Sequence, residues 1–156
     1  MADWQGSMVI NGKASSWENI KSGVVQGSVL GPCLFLIYIN GIDGGVEDLG
    51  GFVSKFANDF KWAREVMGEQ DREVFQQGLD QLFEWSDDWQ MAFNKDRCHV
   101  LHHGRQNQGF EYTMGGVALE AAEWEKDLGV AVHQSQRPSL QCARAAKKAN
   151  SVGAAL

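Results

Sequence analysis

From Ser7 to Ile20 the chain reads SMVINGKASSWENI, apolar and polar residues alternating on either side of Asn11-Gly12. Alternation sorts side chains onto the two faces of a strand, and Asn-Gly suits the positive-φ positions of a two-residue type I′ turn, so a β-hairpin is predicted. The next stretch, SGVVQGSVLGP from Ser22 to Pro32, sets three glycines ahead of the apolar LFLIYI, which predicts a tight loop feeding a buried helix. After the glycine-rich GIDGG and LGG, the segment FVSKFANDFKW divides into two short strands around Asn58-Asp59, residue types that tolerate turn conformations. A second hairpin is predicted there.

Helical periodicity is clearest between Asp71 and Trp89, where Phe75, Leu79, Leu82, Trp85 and Trp89 recur at helical spacing. Asp80, Glu84, Asp87 and Asp88 fall opposite, as on an amphipathic helix with its apolar stripe against a sheet and its acidic face in water. Beyond it the pattern predicts a short strand at Cys98 to Leu101, a hairpin through Tyr112 to Met114 turning at Gly115-Gly116, a strand at Leu128 to Val132, and a final helix opened by Pro138. Strands and helices alternate irregularly, with hairpins, so the fold class is α+β, an antiparallel sheet with packed helices. No internal repeat interrupts this order.

Composition narrows the picture. The chain has 156 residues, 44% of them hydrophobic and 22% charged, with six Trp, which fits one packed domain and excludes disorder. The opening MADWQGS has no basic stretch leading into an apolar region, and the longest apolar run, Val29 to Ile39, falls well short of the roughly 20 residues of a membrane span. An intracellular protein, nuclear or cytoplasmic and without membrane contact, is therefore expected. Cys33, Cys98 and Cys142 are odd in number and widely separated, which fits reduced thiols. A net charge of −6 argues against polyanion binding by the surface as a whole, so any nucleic-acid contact must be local.

Several chemistries fail on their spacing. Gly6-SMVIN-Gly12-Lys13-Ala14 has one residue too many for a phosphate loop and an alanine where a hydroxyl is required. Cys98, His99, His102 and His103 would alternate between strand faces and have no matching second pair of zinc ligands. No Gly-x-Ser-x-Gly elbow presents a nucleophilic serine.

What remains is an ordered set: SGVVQGSVLGP, then FAND, then the amphipathic helix, then FNKDRC, EKDLGV and the tail QCARAAKKAN. From about Trp4 onward this set resembles the palm of reverse transcriptases from LINE-type retrotransposons, the elements without long terminal repeats, in their chicken-repeat and jockey-like group. The resemblance implies RNA-templated DNA synthesis by two-metal nucleotidyl transfer, Mg²⁺ as cofactor, and an RNA template with a DNA primer as partners. It implies a partial palm over residues 1–132 and the start of a thumb helix over 133–156.

The family's FADD maps onto Phe56-Ala57-Asn58-Asp59, which makes Asp59 the metal-binding and catalytic carboxylate and Asn58 a degenerate catalytic position. An amide oxygen can ligate a cation but carries no charge to offset it. The family's upstream catalytic strand has no counterpart among the 21 residues before Ser22, where Asp3 is the sole aspartate, so the chain is expected to be truncated and inactive. The strand's absence also implies an unpaired sheet edge beside the FAND hairpin and self-association through it.

Gln26 and Gly27 match the family's nucleotide-side loop, with Val25 in place of its usual proline; a glycine loop capping a helix explains them equally well. Arg97 stands where relatives usually have lysine, and could hold a phosphate. Leu128 and Gly129 resemble the strand that grips the primer. Arg144, Lys147 and Lys148 share one helix face, either a thumb-like contact to the nucleic-acid backbone or a simple solvated face. Two other functions remain open: a nucleic-acid-binding module without catalysis, and a translated remnant without a selected role.

Overall fold

The computed structural model describes residues 5–20, Gly23 and 27–153, and the chain divides into two compact units, 1–41 and 42–156. In the first unit, β1 (Gln5–Gly6), β2 (Val9–Ile10), β3 (Lys13–Ala14) and β4 (Glu18–Asn19) form two nested antiparallel ladders, β1 with β4 and β2 with β3. Asn11 and Gly12 turn the inner hairpin with φ of 50° and 77°, the geometry predicted for this pair. Ser15 clamps its base, its Oγ accepting from the Met8 amide at 2.9 Å.

The helix α1 (Gly31–Ile39) starts with Pro32 in its first turn, and its Gly31 amide donates to Ser28 Oγ at 2.9 Å. The expected buried helix is corrected by its exposure: Leu34, Leu36 and Ile37 are 50%, 59% and 75% accessible. The sequence GPCLFLIYI is apolar on every side, so packing of one face leaves the others in solvent.

In the second unit, β5 (Phe52–Phe56) and β6 (Asp59–Ala63) pair antiparallel with Phe56 opposite Asp59 and Val53 opposite Trp62. The long helix α2 (Glu69–Asp88) lies within two residues of the predicted bounds. Leu79 and Leu82 are buried, whereas Trp89, expected on the stripe, caps the helix end at 48% accessibility and stacks on Trp85 at 5.9 Å.

After a 3-10 turn at Lys95–Arg97 come β7 (His99–Val100), β8 (Thr113–Met114), β9 (Val117–Ala118) and β10 (Glu120–Ala121). Positive-φ Gly115 and Gly116 turn β8 into β9 as predicted, and β7 pairs parallel with β10. The core gathers between α2 and β8: Leu79, Tyr112 and Met114 are buried, with Phe75, Phe83, Phe93 and Val100 packed against them. The Gln76 side chain fixes the register of this contact, because its Nε2 donates to the Thr113 carbonyl at 2.9 Å and its Oε1 accepts from the Thr113 amide at 3.0 Å.

The chain closes with β11 (Trp124–Asp127), β12 (Val130–His133) and α3 (Ser139–Gly153), the helix packing on β12. Among the described residues the ladders remain six separate two-stranded pairs, where one antiparallel sheet was expected. Helices and hairpins thus mix along the chain as an α+β fold requires. No helix among the described residues is long and apolar enough to cross a membrane.

Candidate functional site

The FAND hairpin turns one residue earlier than predicted. Phe56 pairs with Asp59, so Ala57 and Asn58 form the loop and Asp59 is the first residue of β6. Ala57 takes the positive φ, 51°, a conformation costing an L-residue roughly 1–2 kcal/mol. The hairpin has a covered and an open face, since successive strand residues point to opposite sides. On the covered side the Trp62 indole stacks on Phe75 of α2 at 4.5 Å, and its Nε1 donates to the Gly50 carbonyl at 3.0 Å. On the same face Lys55 pairs with Asp43 at 2.6 Å. The open face carries Phe52, Phe56, Asp59 and Lys61, all exposed.

Asp59 therefore projects from the tip of a rigidly docked hairpin into solvent. A second carboxylate, Asp127, reaches this face only through Lys61, whose ammonium pairs with it. Motif and spacing single out neither partner. The available signals are weak: Lys61 stands two beyond Asp59 on the same strand face, and Asp127 stands just before the turn in EKDLGV.

Leu128 and Gly129, expected to open a strand, are instead the two-residue turn joining β11 to β12, with φ of 46° and 90°. Both residues sit in the left-handed region that a type I′ hairpin demands, and leucine meets that demand at a cost. Leu128 is 59% accessible, so little packing depends on it. Leu128→Asn is expected to stabilise the protein by about 0.5–1 kcal/mol, roughly 1–4 °C in Tm, because asparagine tolerates this conformation better. An unchanged or lower melting temperature would refute the strain.

The other candidates from the sequence disperse. Gln26 lies outside the described residues; Gly27 is exposed at φ 87° with open space where a Cβ would stand. Arg97 is exposed in the 3-10 turn, while its neighbour Lys95 holds the Gly115 carbonyl at 3.3 Å and lies 4.8 Å from the Phe83 ring centre. On α3, Arg144 stacks its guanidinium over Trp124 at 4.6 Å, and Lys147 and Lys148 are exposed.

The histidines are spread as well. His99 lies 3.9 Å from both Glu120 and Glu125, His102 stacks on Tyr112 at 6.3 Å, and His103 Nδ1 is 3.3 Å from the Gln134 carbonyl. Burial pushes the Cys98 thiol above its ordinary range, and its Sγ contacts the Asn94 carbonyl at 3.3 Å. Burial likewise raises the Tyr112 phenol, opposed by Arg72 and reinforced by Glu69. Among the described residues no three His, Cys, Asp or Glu side chains are grouped to hold a metal ion.

A family model described as reverse transcriptase (RNA-dependent DNA polymerase) matches residues 2–137. The RNA-directed DNA polymerase from mobile element jockey of Drosophila funebris is 28% identical over 143 residues, covering 85% of this chain and 16% of the relative's length. No solved structure matches. The family match spans the FAND hairpin, the long helix and the Leu128–Gly129 turn alike, and the chain belongs to the reverse transcriptase family, of the LINE type.

Proposed function

We propose that this chain is the palm and thumb opening of a LINE-type reverse transcriptase, residues 1–132 and 133–156, in which the nucleotidyl-transfer chemistry has been lost while local nucleic-acid contacts remain. The observation that carries this reading is the donor set at the hairpin tip: one carboxylate, Asp59, beside the neutral amide of Asn58. Reverse transcriptases work with divalent metal ions, and hard cations such as Mg²⁺ favour charged oxygen ligands. These residues do not fit such an ion. Asp127 is already paired with Lys61, so it adds no free carboxylate to the Asp59 face.

Nucleic-acid contact falls to separate groups. Arg97 and Lys147 are exposed cations able to meet phosphates, and the Leu128–Gly129 turn is the element that resembles the primer grip. Against a net charge of −6, so few cations support only weak, salt-sensitive binding of an RNA template with its DNA primer.

The metal part of the reading is tested by thermal unfolding with millimolar Mg²⁺ or Mn²⁺. An ion at ten times its Kd would add RT ln(1 + [L]/Kd), about 1.4 kcal/mol, and raise Tm measurably. No rise is expected. A rise abolished by Asp59→Ala would show an intact site and overturn the proposed loss.

A further inference from the structure

The β5–β6 hairpin is tied by a lysine on each face, Lys55 to Asp43 on the covered side and Lys61 to Asp127 on the open side. The second tie spans 66 positions of sequence and joins two hairpins that share no ladder. It also sits at the functional end of both. Lys61 is two residues from Asp59 on one strand face, about 7 Å along the strand. Asp127 is the last residue before the Leu128–Gly129 turn, paired across it with Val130.

We propose that Lys61 and Asp127 are a positioning pair: their ion pair holds the Leu128–Gly129 turn beside the Asp59 face, so that a nucleic-acid strand lying on the turn is aligned with the hairpin tip. The proposal deepens the primer-template reading above and rests on it. An ion pair whose side chains are 44% and 34% accessible adds little to global stability. Its consequence is geometric, because it fixes one hairpin relative to the other at the point where a bound strand would touch both.

Charge alone and positioning make opposite predictions at Asp127. If the two residues acted only through their charges on a polyanion, Asp127→Asn would release Lys61 to phosphate and tighten binding. A positioning pair requires the reverse, weaker binding despite the more favourable charge. The same pair must also restrain the turn when no nucleic acid is present.

The test uses the full chain with two readouts: anisotropy of a labelled DNA primer annealed to an RNA template, and amide hydrogen exchange in residues 124–133 of the free protein. Asp127→Asn and Lys61→Met are each expected to weaken binding and to speed exchange in 124–133 by about two- to fivefold, the range of an exposed pair, with exchange in 69–88 unchanged. The exchanged pair, Lys61→Asp with Asp127→Lys, is expected to recover both. Tighter binding by Asp127→Asn, unaltered exchange in 124–133, or a swap that recovers neither readout would overturn the proposal. If the natural chain fails to bind primer-template at all, the functional reading falls with the alignment it implies, and the exchange data alone decide whether the pair restrains the turn.

Discussion

Gly78→Ala is expected to destabilise the protein by about 2 kcal/mol, although alanine in an exposed helix interior would stabilise it by about 1 kcal/mol. Gly78 is buried in the middle of α2, directly beneath Trp62 of β6, and a Cβ built on it would lie 2.2 and 2.4 Å from two carbons of the indole. Those atoms cannot retreat freely. The indole is held by its stack on Phe75 and by its hydrogen bond to the Gly50 carbonyl, and Leu49 would lie 3.2 Å from the same Cβ. Overpacking typically costs about 1–3 kcal/mol, and displacement of Trp62 forfeits an aromatic pair worth about 0.5–1.5 kcal/mol more, so strain outweighs propensity. Chemical denaturation should show the loss, and Trp62→Phe in the Gly78→Ala background should recover part of it, since the smaller ring leaves room for the methyl group. A gain in stability on Gly78→Ala would mean that the hairpin carrying Asp59 is not docked on α2 through this contact.

The parts of the fold that are legible in sequence are those specified by local chemistry. Asn11-Gly12 and Gly115-Gly116 announce their turns because those residues accept positive φ cheaply, and α2 announces itself because its apolar spacing repeats along nearly its whole length. Each misplaced turn has its own cause. At Ala57–Asn58 the register sets Val53 opposite Trp62 and docks the indole on α2, and Ala57 absorbs the backbone cost of that packing. At Leu128–Gly129 a leucine occupies a position where turn chemistry points to asparagine or glycine, so the pattern predicts strand where the chain turns.

For α1 the difficulty is of another kind, since a segment apolar on all sides carries no information about which side is covered. At the site, Asp59 and Asn58 are legible because a motif places them next to each other. The Lys61–Asp127 pair is not, because no spacing rule connects two residues 66 positions apart. Gly78 is within reach of sequence reasoning: an isolated glycine inside an otherwise strongly helical pattern points to a packing constraint.

On the function proposed above, Asn58→Asp is expected to leave primer extension undetectable in these 156 residues. The substitution places two carboxylates at the tip of the β5–β6 hairpin. Two-metal transfer needs a further converging ligand, and among the described residues the structure offers no group of three donors that the new carboxylate could join. Asp127 does not substitute while Lys61 neutralises it. Geometry compounds the deficit, because misplacing reacting atoms by about 1 Å already costs around a hundredfold in rate. Fused to the upstream palm and fingers of a family relative, the chain carrying Asn58→Asp should extend a DNA primer on an RNA template with Mg²⁺. The same fusion retaining Asn58 should be at least about a hundredfold slower, since one metal-binding carboxylate supplies several kcal/mol to the transition state through the ions it holds. Extension by the natural chain would overturn the proposed loss of activity, and equal rates for the two fusions would overturn the role proposed for Asn58.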